Sequence, residues 1–318
     1  MDQSWIFRTK TGKLGLVIKS EDIIKYYIED SLKSVSGQWK WSDWVDRVSR
    51  GYAQGDTKQL NIESISYYFA LQGCAENAIE LYEVKYPGHY YPRIARENIK
   101  FNYISNDFQQ DIRAYRNIQN ALDELFNYIE PSVINFSSFG HKIRELLILA
   151  CTEVEYLLLK VLTDNGYPDQ KVYRTQDYVK CKEILKLDSF EVGLNQYPNL
   201  GVFKPFVSWN SSSPTKSIVW YDAYNSVKHN RGDNIPKANL ENLLNAVSAI
   251  HILLESQYGN KIFKKWESYT EDRSMFYTVK APIWELNEIT VPILEQAYKV
   301  KTSWIGPRKY FEDFPLAL

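Results

Sequence analysis

The sequence predicts a mainly α protein with a central helical bundle, a small N-terminal β-hairpin and a mostly helical N-terminal region. Apolar residues recur every three or four positions over 107–131, 143–161 and 236–258, the spacing of one helix face. Polar breaks containing Gly and Pro separate these runs, as in a bundle of antiparallel helices. Only near the N-terminus do two short apolar runs flank a turn-like stretch, Thr9-Lys-Thr-Gly-Lys13, whose Gly12 suits positive φ.

Trp5-Ile-Phe7 and Leu14-Gly-Leu-Val-Ile18 form that hairpin. Ser20-Glu-Asp22 then reads as a helix N-cap with acids in the first turn, followed by Ile23, Ile24, Tyr27, Ile28 and Leu32 at helical spacing. A tryptophan cluster follows (Trp39, Trp41, Trp44), and it reads as core or interface before it reads as a base-stacking platform. Residues 61–86 predict one broken helix or two, stopped by Pro87-Gly88. His89 sits in an aromatic loop.

Within the bundle, Ile112, Tyr115, Ile118, Leu122, Leu125, Phe126 and Ile129 mark one helix. Ile143, Leu146, Leu147, Leu149, Ala150, Val154, Leu157, Leu158 and Val161 mark a second, ending near Asn165-Gly166. Shorter helices are expected over 176–187 and 218–230, the latter with Gly232 in the place of a C-terminal cap. The last long helix runs from Pro236, in its first turn, to Tyr258, with Gly259 after it. Residues 275–280 suggest a strand, and prolines interrupt the remainder. The chain thus divides into a mixed region over 1–106, a bundle over 107–260 and an irregular extension over 261–318.

Composition limits the function. The 38 Lys and Arg nearly cancel the 39 Asp and Glu, so any nucleic-acid contact must be a confined patch, not a broad basic face. Three cysteines, Cys74, Cys151 and Cys181, have no paired spacing, and four histidines lie singly, so no metal or other cofactor is expected. No basic-then-apolar leader opens the chain, and its most apolar stretch, 143–162, carries five charges. These features suggest a cytoplasmic protein without membrane contact. No P-loop, dinucleotide-binding, nucleophile-elbow or zinc-protease signature is present.

The chemistry concentrates in Trp220-Tyr-Asp-Ala-Tyr-Asn-Ser-Val-Lys-His-Asn-Arg231. At 100° per residue Trp220, Ala223, Tyr224 and Val227 share one face, and Asp222, Asn225 and His229 form a stripe opposite. His229 is the candidate general base or acid, oriented by Asn225 and Asp222, with Arg231 and Lys228 steadying charge on a phosphodiester. Lys216, in Ser211-Ser-Ser-Pro-Thr-Lys-Ser217, is a further candidate for anion contact at the start of that helix. The plainer reading is a solvated helix face whose last-turn cations complement the dipole, with Thr215 or Ser217 as N-cap. Arg144, Glu153 and Glu155 on the second long helix read as solvated.

Arg144-Glu-Leu-Leu-Ile-Leu-Ala-Cys-Thr-Glu-Val-Glu155, followed by Tyr224-Asn-Ser-Val-Lys-His-Asn-Arg231 and residues 238–247, resembles HEPN domains, the higher-eukaryote and prokaryote nucleotide-binding domains. The resemblance covers roughly 107–260. It implies a bundle of four or five helices that often forms a homodimer. Many members are metal-independent endoribonucleases of stress or phage-defence systems. Their Arg, four to six residues, then His motif lies at the dimer interface, acting on RNA through the ribose 2′-hydroxyl. Here Asp222, Ala223 and Tyr224 occupy the places of that Arg, and Arg231 follows His229 instead. The expected function is an RNA- or nucleotide-directed module; the alternative is a non-catalytic helical interaction or dimerisation module.

Overall fold

The computed structural model describes residues 3–29, 35–51, 60–71, 77–97, 99–101, 105–260, 262–263, 274–295 and 300–316. Leu32, Gly73 and Cys74 fall outside them. The chain divides into two compact units, one of residues 1–90, 97–100 and 284–308, the other of 91–96, 101–283 and 309–318.

The first unit is built on a sheet. β1 (Gln3–Thr9) and β2 (Leu14–Lys19) form the expected hairpin, with Gly12 at φ 85°. β3 (Ile23–Ile28) and β4 (Val35–Lys40) extend it on one side. α1 (Trp41–Gly51) and α2 (Ile62–Leu71) intervene before β5 (Ala78–Glu83) pairs with β1. The result is a five-stranded antiparallel sheet of order β4-β3-β2-β1-β5.

Both faces of that sheet are covered. Ile6, Leu16, Ile18 and Tyr27 pack against Trp284, Leu286, Val291 and Leu294, while Phe7, Val17, Ile24, Tyr26 and Ile28 pack against Trp44 and Ile65. The tryptophan cluster is largely core and local stacking: Trp44 is fully buried and Trp41 lies parallel to it at 6.5 Å. Gly15 lies opposite Phe7, where a Cβ would come within 1.9 Å of the ring. The short strand β6 (His89–Tyr90) closes this stretch of chain.

The second unit is the bundle. α3 (Asn106–Phe126) starts at a Ser105 cap whose side chain accepts from Phe108 N–H. α4 (His141–Asp164) follows a polar break. The short helices α5 (Thr175–Tyr178) and α6 (Lys180–Ile184) lead to the strands β7 (Glu191–Leu194) and β8 (Val202–Phe203). α7 (Val219–His229), α8 (Arg231–Asn234) and α9 (Leu240–Tyr258) come next, then β9 (Phe276–Lys280), which joins β7 and β8 in the order β8-β7-β9. α9 is buried on every side and packs against α3, α4 and α7, the place of a central bundle helix. The chain then returns to the first unit with the hairpin β10 (Ile293–Glu295) and β11 (Lys301–Ser303), and with β12 (Gly306–Pro307), parallel to β6. It ends in α10 (Tyr310–Asp313).

The expectation of a mainly α fold with only a small hairpin is therefore corrected: the chain is 45% helical and 21% strand, with a five-stranded antiparallel sheet. The stretch read as a helix from Ser20 is β3, because its residues are buried on both sheet faces and so lose the alternation that marks a strand. The second half of the stretch 61–86 is β5. Residues 176–187 break into α5, α6 and a 3-10 turn at a left-handed Lys186 (φ 47°). Gly232 is no C-cap: it lies inside α8. The last helix begins at Leu240, capped by Asn239, and Pro236 belongs to a preceding 3-10 turn.

Candidate functional site

The end of α7 gathers most of the residues singled out in the sequence. Its apolar face is buried as the helical wheel requires, with Trp220, Ala223, Tyr224 and Val227 all at 3% exposure or less. Two further anchors fix the helix against α4. The Tyr221 hydroxyl donates to Glu155 at 2.5 Å, and the Tyr224 hydroxyl donates to the same carboxylate at 3.4 Å. Arg144 Nε donates to the Val227 carbonyl at 3.1 Å, meeting one of the orphan carbonyls of the helix end. Arg144 and Glu155 are thus not a solvated face; they hold α7. Burial and the neighbouring Glu155 push the Tyr221 hydroxyl well above its ordinary range, so it remains a donor.

From this platform the polar end projects outward. Lys228, His229 and Arg231 are exposed, and Lys228 Nζ donates to the Tyr224 hydroxyl at 2.7 Å, which raises the lysine pKa and keeps it charged. Lys237 adds a cation by donating to Ser226 Oγ at 2.9 Å. Asn225 and Asp222 are half-buried on the intervening face. Asn225 donates its amide to the Tyr221 carbonyl at 3.2 Å, one turn back along its own helix, rather than to His229. The arrangement within one chain is a cationic edge with an exposed imidazole, not an assembled acid–base pair. Lys216 is exposed on the loop before α7. Neither Thr215 nor Ser217 caps that helix: its N-cap is Ile218, Thr215 bonds Thr175, and Ser217 Oγ accepts from Asn210 N–H.

A second polar constellation escaped the sequence reading, which treated His251 as one of four scattered histidines. His251 is fully buried in α9. Its Nδ1 lies 2.8 Å from Ser274 Oγ, its Nε2 lies 3.0 Å from Thr278 Oγ1, and Thr278 Oγ1 donates to Glu255. The Tyr115 hydroxyl joins at Ser274, 2.7 Å away. Burial lowers the His251 pKa to about 3, so the ring is neutral. His251, Glu255, Ser274 and Thr278 line a cavity of about 620 Å³. The available signal was His251 and Glu255 at i and i+4 within an otherwise apolar run, a pairing that one helix face makes neighbours.

A third cluster supports the bundle. Arg93, at φ 60° and buried, donates to Asp111 at 2.6 Å, Gln257 at 2.9 Å and Asp164 at 3.1 Å, and the Tyr258 hydroxyl also donates to Asp111. Glu153, near these charges, is pushed up to about 7, chiefly by burial and then by Asp111. Among the described residues no group of three His, Cys, Asp or Glu side chains is placed to hold a metal ion. Burial raises the pKa of the Cys151 and Cys181 thiols, which keeps both protonated and unreactive. No described helix is long and apolar enough to cross a membrane. Comparison with protein-family models, with curated proteins and with solved structures finds no match.

Proposed function

We propose that this chain is an RNA- or nucleotide-directed, HEPN-like module of a bacterial stress or phage-defence system, acting through the exposed end of α7. The observation that carries the reading is the shared exposure of Lys228, His229 and Arg231 beside a helix pinned by Glu155 and Arg144. A phosphate placed there meets two permanent cations on a rigid support, a geometry that favours phosphodiester binding. His229 is the residue able to exchange a proton with a bound ribose. The hydrogen bonds made within one chain favour binding over cleavage, since Asn225 is turned to the Tyr221 carbonyl. Cleavage on this reading requires a homodimer, in which a second copy of α7 supplies the missing neighbours.

Metal-free incubation of the chain with total RNA tests the catalytic half, with His229→Ala beside wild type. The dimeric reading expects cleavage by wild type in the presence of chelator and none by the variant. Equal, negligible cleavage by both removes ribonuclease activity and leaves binding alone.

One observation favours the interaction-module reading. Tyr128 and Ile134 are 81% and 86% exposed, and Val133 and Phe139 are more than half exposed, all between α3 and α4. Such grouped apolar exposure marks protein contact surfaces.

A further inference from the structure

The chain between α3 and α4 carries the two most exposed large apolar side chains among the described residues, Ile134 and Tyr128, together with Val133 and Phe139. The backbone that presents them is pinned. Asn135 donates its N–H to the Ser132 carbonyl and its side-chain amide to the Glu130 carbonyl, each at 2.9 Å. At the start of α9, the Leu240 and Glu241 N–H groups donate to the Ser138 and Phe136 carbonyls at 2.9 and 3.1 Å. A loop tied to the bundle in this way holds its apolar side chains ready, so little order has to be gained when they are covered.

Beside Tyr128 and Phe139 the surface opens into a groove of about 450 Å³ at the end of α3 and the start of α4. Leu125, Tyr128, Ile129, Phe139 and Ile143 supply its apolar walls, and its described lining falls within the continuously described stretch 105–260. The volume suits bulky side chains. Val133 and Ile134 lie outside the groove, so the apolar surface exceeds what a small molecule inside it covers. None of the described lining residues belongs to a strand, and an entering chain finds no ladder of backbone groups to pair with. Recognition then runs through side chains, as when an amphipathic helix lays its apolar stripe into a groove.

The rim is acidic. Asp123, Glu124 and Glu130 are exposed around the end of α3, as are Glu145 and Glu241 in the first turns of α4 and α9. The nearby cations are engaged: Lys142 pairs with Glu145 at 3.4 Å, Arg144 Nε donates to the Val227 carbonyl, and Lys237 donates to Ser226 Oγ. His141 also lines the groove. A two-fold contact with a second copy through this patch would bring two acidic rims together. An anionic lipid surface or a nucleic acid meets the same repulsion. A cationic partner is complementary.

We propose that this groove docks a basic amphipathic helix of a partner protein. Bulky apolar side chains one helical turn apart enter beside Tyr128 and Phe139, and flanking Lys or Arg side chains face Glu124 and Glu130. The proposal rests on the interaction-module reading and not on phosphate binding at the α7 edge.

Fluorescence anisotropy with the full chain and two synthetic amphipathic helical peptides tests it, one with a Leu face and a Lys face, the other with Glu in place of Lys. The Leu/Lys peptide is expected to bind at least about tenfold more tightly than the Leu/Glu peptide, and to weaken with salt. Tyr128→Ser combined with Ile134→Ser is expected to weaken it by about tenfold or more, as for loss of apolar anchors. Val219→Ser, at an exposed apolar position in the first turn of α7, is expected to leave binding unchanged. Glu124→Lys combined with Glu130→Lys is expected to reverse the preference between the peptides. All these side chains are exposed, so the circular dichroism of each variant should match wild type. No binding of the Leu/Lys peptide at ~1 mM, equal affinity for the two peptides, or binding unaltered by the Tyr128 and Ile134 variant overturns the proposal. Sedimentation separates this failure from failure of the interaction-module reading. A wild-type dimer dispersed by the Tyr128 and Ile134 variant makes a second copy the occupant and overturns the basic partner while the interaction reading stands; no self-association sensitive to that variant is expected.

Discussion

His251 is neutral and buried in the folded chain, with its pKa lowered from the ordinary 6.5 to about 3 by burial. In the unfolded chain the same ring takes a proton below pH 6.5, so between these values the unfolded state binds more protons. Its contribution to stability is therefore complete above pH 6.5 and falls as the pH drops toward 3, by at most about 1.4 kcal/mol per pH unit. Thermal melts from pH 7 to pH 4 should show this slope, and His251→Gln should flatten it. Glu153 has the opposite sign. Its folded pKa, pushed up to about 7 from 4.5, makes the folded state hold the extra proton, so its contribution favours folding near pH 5 and is lost as the pH rises through 7. Glu153→Gln should raise the melting temperature at pH 8 and leave it nearly unchanged at pH 5. Arg93 is a third residue-scale case: Arg93→Met strands the Asp111 carboxylate, which is 2% exposed, and should cost about 3–5 kcal/mol in chemical denaturation.

The long helices of the second unit could be seen in the sequence because their apolar residues recur every three or four positions, and α3 and α9 also carry side-chain caps at their starts. Asn239 accepts from Asn242 N–H at 3.0 Å at the start of α9, and Asn239→Ala should destabilise the unit by about 1 kcal/mol in denaturant melts. β3 was hidden for the converse reason. Ile24, Tyr26 and Ile28 face one core and Tyr27 the other, while Lys25 reaches the Leu294 carbonyl at 2.9 Å, so no polar face remains to mark period two. Ile23, Ile24, Tyr27 and Ile28 then fit helical spacing as well as strand spacing. Pairing with β2 and β4, and packing of one face on the distant residues Trp284, Leu286, Val291 and Leu294, fixed the choice, and the pattern of 23–28 alone carries none of that information. The sheet's tolerance is set at Gly15: Gly15→Val drives a side chain into the buried Phe7 ring and should unfold this sheet or lower its melting temperature sharply.

At the scale of the molecule, the legible part of the candidate site was the composition of the α7 face. Burial of Trp220, Tyr224 and Val227 and exposure of His229 follow from the 100° step, whereas that step returns Arg231 to the Trp220 side, and Arg231 is exposed because α7 ends at His229 and α8 begins at Arg231. Its support was not legible, because Arg144 and Glu155 meet α7 across 83 and 66 residues of chain. The His251 relay draws on α3, α9, β9 and Ser274, and no single segment contains its pattern. A net charge of −1 argues against a broad basic face, and on the proposed reading phosphate contact is confined to the α7 edge, so removing one cation there should have a measurable share of the effect. The most direct test is a fluorescence-anisotropy titration of single-stranded RNA, across a salt series, with wild type and Arg231→Ala. The account predicts binding that weakens linearly in log–log form with salt, and a slope shallower by about 1 for the variant. No binding by wild type, or superimposable salt dependences for the two proteins, would contradict it.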